Sequence, residues 1–142
     1  MRKHRWTQAF GTNETEAKEK DADLRATIVI EHIIQASDVS HTMQHWQVYQ
    51  KWNKCLFKEM SRAFKAGRLA KDPVEFWYQG EIGFFDNYVI PLARKLQNCG
   101  VFGVSSEEYL NYAISNREGM CVLILSLSEM LTCSTTTGSK TV

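Results

Sequence analysis

The chain has 142 residues, enough for one domain, and its 44% hydrophobic and 23% charged residues are typical of a folded globular protein. With 17 basic and 16 acidic side chains and a formal net charge of +1, it lacks the one-sided positive charge typical of proteins that bind nucleic acid or anionic membranes. The spacing of the four cysteines and the sequence near Met1 give no zinc-knuckle, CxxC or signal-peptide pattern, so we expect a cytoplasmic setting. The longest apolar run, 121–131, is too short to insert across a membrane.

The first half of the chain predicts two helices. The polar stretch 11–23 predicts a solvated loop that leads into a helix over 24-LRATIVIEHIIQASD-38, whose length favours a helix over a strand despite its β-branched residues. From about Met43 to Arg68, apolar residues recur at three- and four-residue steps, which predicts a long amphipathic helix. Its apolar positions are Trp46, Tyr49, Trp52, Leu56, Met60 and Phe64.

Capping signals predict two further helices. The segment 72-DPVE-75 combines an N-cap aspartate, a proline at the first helical position and a glutamate three residues after the cap. We expect that helix to run to Asn98, to be kinked or divided at Pro91, and to stop at Gly100. The capping box 105-SSEE-108 predicts a fourth helix. Because no hairpin signal accompanies these elements, the predicted fold class is all-α.

A first candidate for chemistry is the triplet Asp38, His41 and His45. Their spacing of three and four residues would place a carboxylate and two imidazoles on one helix face, and these groups are proper ligands for zinc or manganese. The alternatives are that Asp38 caps a helix and that the histidines are polar surface groups near a helix start. The spacing alone leaves these interpretations open.

A second candidate is the stripe Glu81, Phe84 and Tyr88 on the third helix, which is expected opposite the aromatic stripe of the second helix. Aromatic walls with one polar group suit a flat heterocycle, which can stack on a ring while a carboxylate contacts its edge. The alternative is that these aromatic residues are simply part of the core.

Two sequence blocks, 35-QASDVSHTMQHWQVYQKW-52 and 79-QGEIGFFDNYVIPLARKL-96, resemble the catalytic domain of cyclic-nucleotide phosphodiesterases. Members of that family read approximately HCADLSN…YxxW…EEF and then SQVGFIDxxVxPL. The resemblance runs from about Leu24 to Arg117 and implies an all-α partial domain that corresponds to the C-terminal half of the phosphodiesterase fold. We therefore predict a partial catalytic domain over 1–117, followed by a divergent apolar segment and polar tail over 118–142.

The resemblance implies a hydrolase of signal transduction that converts a 3′,5′-cyclic nucleotide, cyclic AMP or cyclic GMP, into the 5′-nucleotide. Asp38 matches an aspartate that binds the family's tightly held zinc, and Phe84 matches the phenylalanine on which the purine stacks. The positions that the resemblance assigns to nucleotide binding are Tyr49, Trp52, Leu56, Met60, Glu81 and Phe84.

Departures from the family pattern affect the expected site, and one of them is Gln35, which stands where many members have a histidine. Glu81 stands where the family has a purine-reading glutamine, and an ionised carboxylate only accepts hydrogen bonds whereas an amide also donates. Met60 replaces a phenylalanine, and His41 replaces an asparagine. The preference between adenine and guanine is therefore open.

The family's other metal ligands, two histidines and an aspartate that bridges to magnesium, lie in motifs upstream of the matched blocks, as does the histidine that protonates the leaving group. This sequence has only His4 before His32 and no HNxxH motif. We expect zinc and magnesium as cofactors of the complete domain, but no catalytic residue in this chain and negligible turnover by it alone. A missing half-domain would leave apolar faces uncovered, which predicts self-association.

A second hypothesis comes from a different class of function. The chain could be a non-catalytic helical module that binds a nucleotide or a partner helix through a surface formed by Trp52, Phe84 and Tyr88. This hypothesis predicts ligand binding that does not depend on metal ions.

Overall fold

Helices form the regular structure of residues 20–136, the part of the chain that the computed structural model describes, with side chains described over 22–123. A 3-10 turn and a π-helical turn join some of the α-helices. In chain order the elements are α1 (Lys20–Asp38), the 3-10 turn (Ser40–Met43), α2 (Trp46–Lys65), α3 (Pro73–Phe84), the π-turn (Phe85–Val89), α4 (Ile90–Cys99) and α5 (Ser105–Thr136). The predicted all-α fold is confirmed for these residues.

The core lies around α5, which packs against α2, α3, α4 and both turns, while α1 packs against α4. The largest fully buried apolar side chains of the described residues are Tyr49 from α2, Phe85 from the π-turn, Ile28 from α1 and Val89 from the π-turn. Helix α5 approaches α2 closely at Gly119, where an added Cβ would lie only 2.8 Å from the Trp46 ring. The glycine thus lets the start of α2 rest on α5.

Helix α2 is shorter than predicted because a separate turn occupies the residues before it. Ser40–Met43 form the 3-10 turn, in which the Thr42 hydroxyl and amide both donate to the Val39 carbonyl. His45 is the N-cap residue of α2, and the chain leaves the helix at Gly67, whose φ is 70°. The apolar stripe of α2 is only partly buried, since Trp52 is 54% exposed and Leu56 43% exposed.

The predicted division of the third helix near Pro91 is confirmed, and it takes the form of the π-turn. Proline has no N–H and its ring clashes with the carbonyl four residues earlier, so the regular hydrogen-bond pattern cannot continue through it. The Ile90 N–H donates instead to the carbonyl of Phe85, five residues earlier. Helix α4 then ends at Gly100, whose φ of 68° is left-handed, as predicted.

Helix α5 begins at Ser105, within the predicted capping box, and its backbone continues to Thr136. It therefore passes without a break through the boundary predicted between 117 and 118, and the division into two segments stays a prediction. The basic start of the chain, most of the predicted loop over 11–23 and the end of the polar tail lie outside the described residues. Among the described residues, no helix combines the length and the apolar character needed to span a membrane.

Candidate functional site

An open cleft of about 590 Å³ brings three of the predicted site residues together. Asp38 ends α1 at one side of the cleft, and Trp52 and Leu56 come from the exposed face of α2. The 3-10 turn contributes His41 beside Asp38. The other predicted nucleotide positions, Tyr49, Met60, Glu81 and Phe84, are not among the residues that line this cleft.

The structure contradicts the placement of Asp38, His41 and His45 on one helix face. Helix α1 ends at Asp38, His41 lies in the 3-10 turn, and His45 caps α2, where its Nδ1 accepts a hydrogen bond from the Gln47 N–H at 3.4 Å. Asp38 is not the cap of the following helix either. The three residues therefore lie in different elements, and their regular spacing is not a helix-face pattern, although Asp38 and His41 line the same cleft.

Within the described side chains, no group of three or more His, Cys, Asp or Glu residues is placed to hold a metal ion. Zinc sites in proteins use three or four protein ligands, and magnesium also needs oxygen ligands in a near-octahedral arrangement. The described residues alone therefore do not fit a zinc and magnesium centre. Burial lowers the pKa of His41, which favours a neutral imidazole next to Asp38.

A chain of hydrogen bonds fixes Glu81 to α2. The buried Tyr49 hydroxyl donates to Glu81 Oε2 at 2.7 Å. Asn53 Nδ2 donates to the same hydroxyl at 3.3 Å, and Trp77 Nε1 donates to Asn53 Oδ1 at 3.2 Å. These three bonds tie α3 to α2 and hold the carboxyl group in one orientation. The sequence predicted a role for Tyr49 and Glu81 but not for Asn53. Asn53 lies one helical turn after Tyr49, and this spacing could have indicated that the two side chains are in contact.

The protonation of Glu81 is set mainly by its burial. Burial raises the pKa of its carboxyl above the ordinary value of 4.5, although Tyr49 and Asn53 oppose this by favouring the charged form. Burial and the nearby carboxylate of Glu81 in turn raise the pKa of Tyr49, which keeps the hydroxyl protonated as a donor. A protonated Glu81 can donate as well as accept, so it recovers part of the hydrogen-bonding capacity of the family's glutamine.

We expect Glu81→Gln to stabilise the fold at neutral pH and to remove a pH-dependent loss of stability. As the pH rises above 4.5, Glu81 ionises first in the unfolded chain, because its pKa is higher in the folded state. The unfolded state then binds fewer protons, so the stability of the native chain falls with pH until the folded pKa is passed. Urea unfolding from acidic to neutral pH measures the difference between the two proteins.

The expected difference in unfolding free energy grows as the pH rises. Glu59→Gln, on the exposed surface of α2, is the control for the loss of a surface charge. A constant difference between Glu81→Gln and the native chain across this pH range would contradict the assigned burial effect.

Two adjacent phenylalanines have different environments. Phe84 is half-buried and stacks on Tyr88, with ring centroids 5.4 Å apart and an angle of 11° between the planes. Phe85 is fully buried and meets the edge of Tyr49 at 5.3 Å. A planar ligand that stacks on Phe84 would have to use the ring face opposite Tyr88. The sequence reading missed Phe85 because the π-turn shifts the helical register at this point.

Asn116 of α5 supports the 3-10 turn from inside the protein. It is 1% exposed, and its Nδ2 donates to the carbonyl oxygens of Thr42 at 2.9 Å and Gln44 at 2.8 Å. These bonds fix the backbone on both sides of Met43, in the turn that also carries His41. The sequence did not predict this role for Asn116. The one feature that could have indicated it is a polar side chain on the apolar stripe of α5.

A family model described as 3′5′-cyclic nucleotide phosphodiesterase matches residues 2–102. The match covers more than half of the chain and includes both sequence blocks that carry the resemblance. The described helices and this match together define a segment of a phosphodiesterase catalytic domain. The chain belongs to the 3′,5′-cyclic nucleotide phosphodiesterase family and is a phosphodiesterase by family. The match begins before Leu24 and ends before Arg117. Searches of curated proteins and of solved structures found no match.

Proposed function

We propose that this chain forms the purine-binding side of a cyclic-nucleotide phosphodiesterase catalytic domain, which converts a 3′,5′-cyclic nucleotide into the 5′-nucleotide. The observation that supports this most is the hydrogen bond from Tyr49 to Glu81, because it fixes a polar side chain at the position of the family's base-reading glutamine. Within the family, that position contacts the edge of the base. A fixed orientation is what such contact requires.

The proposed nucleotide would lie against α2 and α3. Phe84 offers one aromatic face to the base, and Glu81 offers its carboxyl group to the base edge. Trp52 and Leu56 provide an exposed apolar wall in the cleft that also contains Asp38. We assign Met60 to the same side because it lies on α2 one turn after Leu56. Tyr49 is fully buried, and we assign its part in nucleotide binding to the hydrogen bond that orients Glu81.

We further propose that Asp38 is one ligand of a metal centre, with zinc and magnesium as the ions implied by the family. Asp38 is exposed in the cleft, where it can meet groups that the described residues do not provide. A two-metal centre would need several such groups. We therefore expect negligible hydrolysis by this chain alone.

A hydrolysis assay tests this proposal. The purified 142-residue chain would be incubated with cyclic AMP or cyclic GMP in the presence of zinc and magnesium. We expect no turnover above the rate without protein. Asp23→Ala is the control, since Asp23 is an exposed carboxylate at the other end of α1. Hydrolysis by the native chain would contradict the expected inactivity. If Asp38→Ala abolished that hydrolysis and Asp23→Ala preserved it, the metal assignment of Asp38 would still be supported.

A second candidate function is a non-catalytic binding module, which the high exposure of Trp52 and Leu56 favours. Large apolar side chains at neighbouring positions of an exposed helix face are typical of binding surfaces. This role predicts that a nucleotide binds with the same affinity with or without divalent ions. A binding affinity that increases on addition of zinc or magnesium would instead favour the phosphodiesterase role.

We expect the chain to self-associate through its uncovered apolar residues. Ile30 and Ile34 are 56% and 59% exposed on one face of α1. Replacing both with glutamate should lower the association because charged groups oppose burial in an interface. Sedimentation velocity at increasing protein concentration measures this association. Val104→Glu, in the loop before α5, is the control because it introduces a charge at another exposed apolar position. A single monomeric species at every concentration would contradict the expectation.

A further inference from the structure

A second cavity, of about 410 Å³, lies between α2, α3 and α5. It shares no lining residue with the cleft that contains Asp38, and neither Glu81 nor Phe84 lines it. On α2 its lining residues include Tyr49, Asn53 and Phe57, which lie on a different face of the helix from Trp52 and Leu56. Tyr49, which bonds Glu81 in the proposed nucleotide site, also lines this cavity, so the two sites meet at Tyr49 but otherwise use different residues. The volume of the cavity is within the range of small-molecule sites.

The wall of this cavity is mainly apolar and held in place. Trp77 is 7% exposed and Met120 2% exposed, so both side chains are fixed by packing. The Phe57 ring meets Trp77 edge to face at 5.0 Å, and the Trp77 indole N–H is bonded to Asn53. Leu123 of α5 closes another side. Such a wall can bury methylene groups without first rearranging its own side chains.

The charged groups of the cavity all have the same sign. Lys54 and Lys58 line it from consecutive turns of α2, and both are exposed to solvent. No aspartate or glutamate is among the described residues that line it. Two ammonium groups beside an apolar wall favour a ligand that carries negative charge at one end and an apolar body at the other.

We propose that this cavity binds a free amphipathic carboxylate, such as a medium-chain fatty acid. The carboxylate lies between Lys54 and Lys58, and the hydrocarbon chain lies against Phe57, Trp77 and Met120. Charge complementarity at the rim and the apolar wall behind it define the two ends of this ligand. A cyclic nucleotide also carries a negative charge, but the polar groups of its ribose and base would lose their hydrogen bonds to water against Phe57, Trp77 and Met120, whereas a hydrocarbon chain has none to lose.

Calorimetric titration of the full chain with decanoate, below the concentration at which decanoate forms micelles, tests the proposal. We expect saturable binding at one site, and binding that is weaker by about tenfold in Lys54→Ala/Lys58→Ala, since two charge-assisted contacts are lost. The matched control is Lys51→Ala/Lys65→Ala, which removes the same charge from α2 outside the cavity. Decanol, which has the same chain without the charge, should bind more weakly than decanoate.

A second variant keeps the charges and fills the space. Val74 lines the cavity and is 68% exposed, so Val74→Trp should block decanoate binding while circular dichroism shows an unchanged helical fold. The proposal is overturned by an absence of saturable binding to the native chain, or by equal weakening in the two double-lysine variants. Binding to phosphatidylglycerol vesicles that depends on Lys54 and Lys58, without saturable decanoate binding, would also overturn it.

Discussion

Phe85→Ala is expected to lower the unfolding free energy by about 3–5 kcal/mol, the usual cost of truncating a fully buried phenylalanine. Phe85 is 0% exposed at the first position of the π-turn, where it packs against Tyr49 and lies in the same core as Val89. Its loss would leave a cavity where α2, α5 and the π-turn meet, and close-packed neighbours can fill it only in part. Urea unfolding followed by circular dichroism measures the effect.

Phe84→Ala is the matched control, because it makes the same chemical change at the next residue along the chain. Phe84 is half-buried and its principal ring contact is Tyr88. We expect a loss of about 1–2 kcal/mol, in keeping with partial burial and one stacked aromatic pair. Equal losses in the two variants would show that the two rings do not have the different environments described above.

Tyr49→Phe is expected to lower the unfolding free energy by about 1–3 kcal/mol, the range for leaving a buried polar group without its partner. The change removes only the hydroxyl that donates to Glu81 and accepts from Asn53. The ring keeps its contacts with Trp46 at 5.5 Å and Phe85 at 5.3 Å, so packing is preserved. The loss therefore reports on the hydrogen-bond chain and not on the core.

The same change made together with Glu81→Gln separates the two partners. An amide is less costly to bury without a donor than an ionised carboxylate is, so Tyr49→Phe should cost less in the presence of Glu81→Gln. Unfolding of the four proteins of this double-mutant cycle gives the coupling directly. A coupling of zero would mean that the Tyr49 hydroxyl does not stabilise the Glu81 carboxyl group.

The sequence predicted the helices well because their signals are local. The Asp72 and Pro73 start of α3, the division near Pro91 and the stop at Gly100 each depend on the geometry of one or two residues. The 3-10 turn at Ser40–Met43 was missed because its local bonds, from Thr42 to the Val39 carbonyl, are supplemented by bonds from Asn116, more than seventy residues later. A distant partner of this kind leaves no signal in the local pattern.

The candidate site was predicted less completely than the helices. The resemblance assigned Tyr49, Glu81 and Phe84, but the hydrogen bond between Tyr49 and Glu81 and the contact between Phe84 and Tyr88 depend on how α2 and α3 pack. The regular spacing of Asp38, His41 and His45 suggested a shared helix face that the end of α1 removes. Spacing predicts side-chain proximity only while one helix continues.

Calorimetric titration of the full chain with cyclic AMP and cyclic GMP tests the central claim, that this chain carries the purine-binding side of a phosphodiesterase domain. We predict saturable binding of at least one of the two nucleotides, weakened about tenfold or more by Phe84→Ala because base–aromatic stacking contributes about 1–3 kcal/mol per base. Phe64→Ala, a part-buried phenylalanine near the far end of α2, is the matched control and should leave the affinity unchanged. No heat with either nucleotide, or the same affinity for the native chain and Phe84→Ala, would contradict the account.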